Sequence, residues 1–306
     1  MKYTTIIVFW LALSTGLGTA LEAEAQDAEH RVLYSNFTAF RLNPIGIRNE
    51  FEIGYQYKLY DSDSVLFKTG HVRVYLAPTL APALTRLGVG VDIEPLAVLK
   101  LGARWEWVQY FGTFDHFQSF KDVDQPYSDS DIATNGDLGL AEVRGGWQLT
   151  LSAELRGRVG PVVVRNKLVA MYGQMDMRAG DTVWYDPYFD ILSPKEGWVL
   201  INDADVLVFL LNDKLIVGVR HNVTHAIFPD EAFGANGPRD IASTPTQRLG
   251  PLIAYRFFDE PGAAFNRPTA VLLVNWYLVH PHRTGADVSQ AVPYVALGFA
   301  FSGDLL

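Results

Sequence analysis

The side chains able to carry chemistry are few and scattered. The chain holds seven histidines and no cysteine, which excludes disulfides, thiolate nucleophiles and cysteine metal sites. His221 and His225 stand four apart. On a helix that spacing would present a metal pair. On a strand, at ~3.3 Å per residue, they lie roughly 13 Å apart, too far to share an ion. His280-Pro-His282 sets two imidazoles on one side of a loop, but two histidines do not make a zinc site, and a polar strand end is the plainer reading. Asp122, Asp124, Asp129 and Asp131 crowd one polar segment. Carboxylates at that density could hold Ca²⁺, although the glycine and terminal glutamate of an EF-hand loop are missing and a solvated loop is the plainer reading. Ser152 and Ser302 have no histidine at usable spacing, and His71 and His116 have no local partner motif. The sequence assigns no catalytic residue, no metal site and no cofactor.

The elements that must position these residues are strands. From Leu96 to Tyr110, Ala97, Leu99, Leu101, Ala103, Trp105 and Trp107 alternate with Lys100, Gly102, Arg104 and Glu106. A period of two is a strand with two unlike faces. The pattern recurs along the chain, and such repetition points to a closed barrel with lipid outside and a charged lumen inside.

The totals agree. Of 306 residues, 49% are hydrophobic and only 19% charged, less charge than the quarter or so usual in soluble proteins. No window beyond the N-terminus offers the ~18 unbroken apolar residues of a spanning helix. A formal net charge of −9 argues against general attraction to nucleic acid. Residues 1–25 read as a cleaved export signal: Lys2 is basic, Ile6 to Leu13 apolar, and Ala23-Glu-Ala25 has the small-x-small form of a cleavage site. Residues 26–306 then form one barrel domain.

Twelve strands are expected, over Arg31–Arg41, Phe51–Leu59, His71–Ala77, Leu84–Ile93, Leu96–Tyr110, Leu138–Arg156, Val162–Met175, Trp198–Leu211, Lys214–Ile227, Arg248–Phe258, Ala270–Val279 and Ala291–Ser302. Ten or fourteen follow if a segment is mis-split. Glu94-Pro95 and Asn212-Asp213 read as tight turns. Long polar loops are expected over 112–136, 178–197 and 228–246, all after odd-numbered strands and therefore on one side. Trp105, Trp107, Trp147, Tyr172, Trp198 and Trp276 lie on the apolar face near expected strand ends, where an interfacial aromatic girdle belongs. The competing reading, the core of a soluble β-sandwich, is opposed by the strand lengths and by the charge of the second face.

On these residues the chain resembles the outer-membrane β-barrel class of Gram-negative bacteria, over nearly all of its length after residue 25. The resemblance is one of pattern. Tyr294 to Phe301, with Gly298 before Phe299 and Phe301, looks like the terminal assembly signal of that class, though five more residues follow and the last is leucine. The resemblance implies contact with outer-membrane lipid and lipopolysaccharide, which the Asp122–Asp131 cluster could bridge through divalent ions, and with the barrel-assembly machinery.

The same register aims Lys58, Arg73, Arg86, Lys100, Arg104, Arg144, Arg156, Arg165, Lys167, Arg220, Arg248 and Arg256 inward, with Glu52, Asp92, Glu94, Glu106, Glu142, Glu154, Asp203 and Asp205. Arg104 and Glu106 are expected beside Glu142 and Arg144, as cross-strand ion pairs. Such a lumen is either a structural protein knitted shut by salt bridges or a narrow passive channel with a slight cationic excess that favours small anions. Two alternatives stand beside it. One is a lipid-modifying enzyme of the phospholipase or lipid A deacylase type, for which no matching motif is found; an omptin-like arrangement of Asp203, Asp205 and His221 is also a poor fit. The other is an adhesin or receptor working through the three long loops.

Overall fold

A computed structural model describes residues 29–125, 128–234, 244–280 and 291–306. The strands, in chain order, are β1 (His30–Leu42), β2 (Gly46–Lys58), β3 (His71–Leu80), β4 (Leu84–Leu96), β5 (Leu99–Phe111), β6 (Ser119–Phe120), β7 (Val143–Val159), β8 (Val162–Met175), β9 (Val183–Asp186), β10 (Ile191–Pro194), β11 (Glu196–Leu210), β12 (Leu215–Ile227), β13 (Thr246–Arg256), β14 (Asn266–Val279) and β15 (Tyr294–Asp304). One α-helix, α1 (Asp129–Asp137), lies between β6 and β7.

Twelve of the strands close an antiparallel barrel in the order β1-β2-β3-β4-β5-β7-β8-β11-β12-β13-β14-β15, and β15 returns to β1. Apart from the closing β15–β1 pair, every wall neighbour is next in sequence among the wall strands, so each backbone ladder is satisfied and no edge is left open. Period-two alternation sets the two faces. The exterior is apolar and exposed: Leu76 is 58% exposed, Leu87 51%, Val164 55% and Leu297 54%. An unbroken band of bare Leu, Val, Ile and aromatic side chains is a surface for acyl chains, since water would penalise hundreds of Å² of it.

Three features depart from the sequence expectations. Glu94 and Pro95 lie inside β4, and the turn falls at 97–98. The β11–β12 turn takes four residues, with Leu211, Asn212 and Asp213 all at positive φ. Most importantly, the long loops are structured. Ser128 caps α1 through the backbone N–H of Asp131, and Asp131 reciprocates to the N–H of Ser128 at 3.0 Å, a capping box that satisfies two otherwise free donors. β6, β9 and β10 pair into a small separate sheet in the order β10-β9-β6.

That sheet, α1 and residues 228–233 build a cap with a core of its own, from Phe120, Val123, Ile132, Val183, Tyr185, Leu192 and Ala232. Its other side packs on the inner wall: Phe117 and Trp184 stack at 5.0 Å and both meet Tyr110 of β5, at 5.4 and 5.8 Å. The cap therefore seals one mouth of the barrel, the cap end. The shorter connections lie at the other, the turn end, where the guanidinium of Arg31 holds Asp304 at 2.6 Å.

Residues 1–28, which include the expected export signal, lie outside the described residues. So do His282 and residues 235–243 of the loop expected at 228–246.

Candidate functional site

The lumen has three zones. Around its middle, β2, β3, β4, β5, β7, β8, β11 and β12 contribute an ionic lattice. Arg73 donates to Glu52 at 2.8 Å and to Asp92 at 2.9 Å, and Lys100 reaches the same Asp92 at 2.9 Å. Arg156 meets Glu94 at 2.7 Å. Asp205 is shared by Arg165 at 2.5 Å and Arg220 at 2.7 Å, while Asp203 lies 3.7 Å from Arg220 and accepts from Asn222 at 2.8 Å. Glu106, fully buried, is reached by Arg104 at 3.3 Å and by Gln148 at 2.5 Å. Glu154 stands between Lys100 and Lys167 in the cross-strand register. Opposite charges alternating across neighbouring strands hold such groups inside a barrel, where an unpaired charge would be costly.

A cavity of about 50 Å³ opens within this lattice, bordered by Glu52, Arg73, Asp92, Lys100, Arg104, Glu154 and Lys167. At roughly 10–15 Å³ per water it has room for a few water molecules. The second zone, toward the turn end on β8 and β11–β15, is dry: Val163, Leu207, Phe209, Ile216, Leu252, Ala254, Val271, Leu273 and Ala296 pack inside the wall. Arg256 sits beyond it, paired with Asp259 at 3.2 Å.

The third zone is the vestibule beneath the cap. The turn joining β9 to β10, residues 186–190, dips into it. Tyr188 lies between two guanidiniums, Arg48 at 4.5 Å and Arg86 at 4.2 Å from its ring centroid, and its hydroxyl donates to Glu50 at 2.7 Å. Arg41 donates to the carbonyls of Pro187 and Tyr188, the latter at 2.8 Å. Asp186 turns back to accept the N–H of Tyr188 at 2.8 Å. Burial raises the Asp186 carboxyl above its ordinary range, against the pull of Arg86 and Arg41. Asp190 accepts from Tyr185 at 2.6 Å and Tyr277 at 3.0 Å and lies 3.1 Å from His280.

The residues singled out in the sequence fall as follows. Lys100, Arg104, Glu106, Glu154, Arg156, Arg165, Lys167, Asp203, Asp205, Arg220 and Arg256 all point inward. Glu142 and Arg144 do not join the lattice. Strand register sets Arg104 against Thr150 and Arg144 against Tyr110, so the expected cross-strand pairs do not form. Glu142 instead binds Arg144 at 3.1 Å and Arg178 at 3.2 Å at the cap-end rim, because residues 138–142 precede β7 and do not belong to it.

Trp107, Trp147, Tyr172, Trp198 and Trp276 face outward toward the cap end, and Tyr172 lies 5.8 Å from Trp147 and 5.2 Å from Trp198. Trp105 also faces outward but sits at mid-strand in β5. His221 and His225 lie on the exterior face of β12, away from Asp203 and Asp205. Among the described residues no three His, Asp or Glu side chains converge as metal ligands. Asp122 accepts the N–H of Asp124 at 3.0 Å, and Asp131 serves the helix cap.

Arg41, Arg48, Glu50, Asp186, Tyr188 and Tyr277 escaped the sequence reading. Arg48 falls in a stretch read as loop. The signal available was the aromatic density of Trp184, Tyr185, Tyr188 and Phe189, unusual for a solvated loop.

No family model and no curated protein matches the chain. Solved structures similar to it include CdiB from Acinetobacter baumannii (7% identity, TM-score 0.40, 90% of this chain and 60% of that one). The translocator domain of the autotransporter NalP from Neisseria meningitidis is another (8%, 0.41, 90% and 88%), as is the NanC porin (9%, 0.39, 89% and 100%). The chain thus spans less than two thirds of CdiB.

Proposed function

We propose that this chain is an outer-membrane β-barrel that works as a narrow channel for small solutes, closed in this conformation, with a lumen that favours anions. The observation that carries the reading is the seal: the 186–190 turn rests on the mouth through polar contacts to Arg41, Arg48, Glu50 and Arg86, above an ionic cavity large enough for water. A purely structural lumen needs neither a docked cap nor a water-sized cavity beneath it. The reading includes residues 1–25 as an export signal and 26–306 as one barrel domain. It also takes β15, with Gly298, Phe299 and Phe301, as the stretch offered to the assembly machinery, and the apolar exterior as the face for lipid and lipopolysaccharide.

The enzyme alternative gains little support. Tyr277 and His280 both reach Asp190, at 3.0 and 3.1 Å, but His280 is 3% exposed and Asp190 1%, and the carboxylate is engaged in holding the cap. The adhesin alternative loses part of its basis, because the described residues of the 112–136 and 178–197 segments build the cap.

Planar-bilayer recording tests the proposal. The intact chain is expected to give rare, small openings, and excision of the 180–194 hairpin steady, anion-selective conductance. Silence from both proteins, each inserted and folded, would leave a structural barrel.

A further inference from the structure

Charge pairing changes with depth. In the lattice, Arg73, Arg104, Arg156, Arg165 and Arg220 each have a carboxylate within 4 Å. In the vestibule, among the described residues, Arg41 and Arg86 have none at that distance. Arg86 is 4% exposed and its Nε has no hydrogen-bond partner. A buried guanidinium with no carboxylate in contact is expensive; Glu106 and Asp186 act on this one only from beyond contact distance, Tyr110 lies beside it, and the ring of Tyr188 covers it, a contact worth on the order of 1–2 kcal/mol when desolvated. Arginine's planar fork suits carboxylates and aromatic faces together. The occupant of the vestibule offers that combination: a hydroxylated ring between Arg48 and Arg86, its hydroxyl on Glu50, its carbonyls on Arg41 and the Asp186 carboxylate close by.

We propose that the vestibule is a binding site for small hydroxyaryl carboxylates, and that the 186–190 turn occupies it as an intramolecular substitute. An incoming ligand would place its ring where Tyr188 lies and its carboxylate on Arg86 and Arg41, giving Arg86 the direct carboxylate contact it lacks. The inference rests on the closed-channel reading, since it names the solute class whose binding would displace the turn.

The test measures binding, separately from conductance. The intact chain in detergent micelles and its Y188A variant are titrated calorimetrically with 4-hydroxybenzoate, with phenol and with acetate. Removing the substitute is expected to tighten 4-hydroxybenzoate binding at least tenfold while phenol and acetate stay weak. Adding Arg86→Gln to Y188A should abolish the gain. Y188L serves in the same role should Y188A fold poorly, with heat-modifiable gel mobility reporting folding of each. Equal affinity for phenol and 4-hydroxybenzoate, or an Arg86→Gln double variant that binds as tightly as Y188A, overturns the site. Anion-selective conductance after hairpin excision, with no aryl carboxylate binding, would overturn this inference and leave the channel standing.

Discussion

Two arginine-rich regions lie one above the other in the same lumen and are held in opposite ways. In the lattice, Asp205 is clamped between Arg165 and Arg220, and each charge is fixed by others on rigid neighbouring strands. In the vestibule, Arg86 and Arg41 are satisfied by an aromatic ring and by backbone carbonyls borrowed from a loop. The lattice is permanent because removing any member strands another charge in a buried interior. The vestibule is provisional because its cover is a turn that a competing ligand can replace. Like residues thus serve stability in one place and recognition in the other, and the distinction lies in their partners.

The largest test of that contrast is Asp205→Ala. It leaves Arg165 and Arg220 buried without their shared carboxylate and should cost about 3–5 kcal/mol, read as a lowered midpoint in urea unfolding from micelles. A loss below about 1 kcal/mol would mean that the lattice is no more committed than the vestibule.

Next comes pH, acting on the cap. Burial, helped by Arg41, lowers His116 from its ordinary 6.5 to about 4, with Asp115 and Asp190 pulling the other way. The closed cap therefore keeps His116 neutral, while an opened cap lets it take a proton below 6.5. Closure should be strongest above pH 6.5 and weaken as pH falls toward 4, by roughly 10- to 100-fold in opening equilibrium. Hydrogen exchange over residues 116–120 reads this, and His116→Gln should flatten the profile.

Tyr188→Ala should loosen the cap by about 1–2 kcal/mol, the worth of a cation–π pair out of water. Protease cleavage within 179–193 should quicken while urea unfolding of the barrel stays unchanged. The smallest effect is expected for Arg86→Met. Replacing a buried cation that has no carboxylate within 4 Å with an apolar chain of similar length should change barrel stability by less than about 1 kcal/mol. A loss near that of Asp205→Ala would show that Arg86 belongs to the lattice after all.

The alternating faces of the chain were enough to place twelve wall strands, because a period of two is local: each residue's side is settled by its neighbours in sequence and by the demand that lipid meet apolar atoms. Lys100, Arg104, Glu154, Arg165 and Asp205 were legible as inward for that reason. Their partners were not. Arg104 sits opposite Thr150, far from Glu142 and Arg144, since register depends on where each strand leaves its loop, and β7 begins only at Val143.

The cap was least legible of all. Tyr188 meets Glu50 across 138 residues and Arg41 across 147, and no periodicity in a loop encodes a contact of that range. The sequence by itself determined a wall with an oily outside and a charged inside, from spacing alone. Only the tertiary structure decided that the lumen is capped, which arginines lack a carboxylate, and what covers them, because those follow from barrel closure bringing remote loops and strands to one mouth.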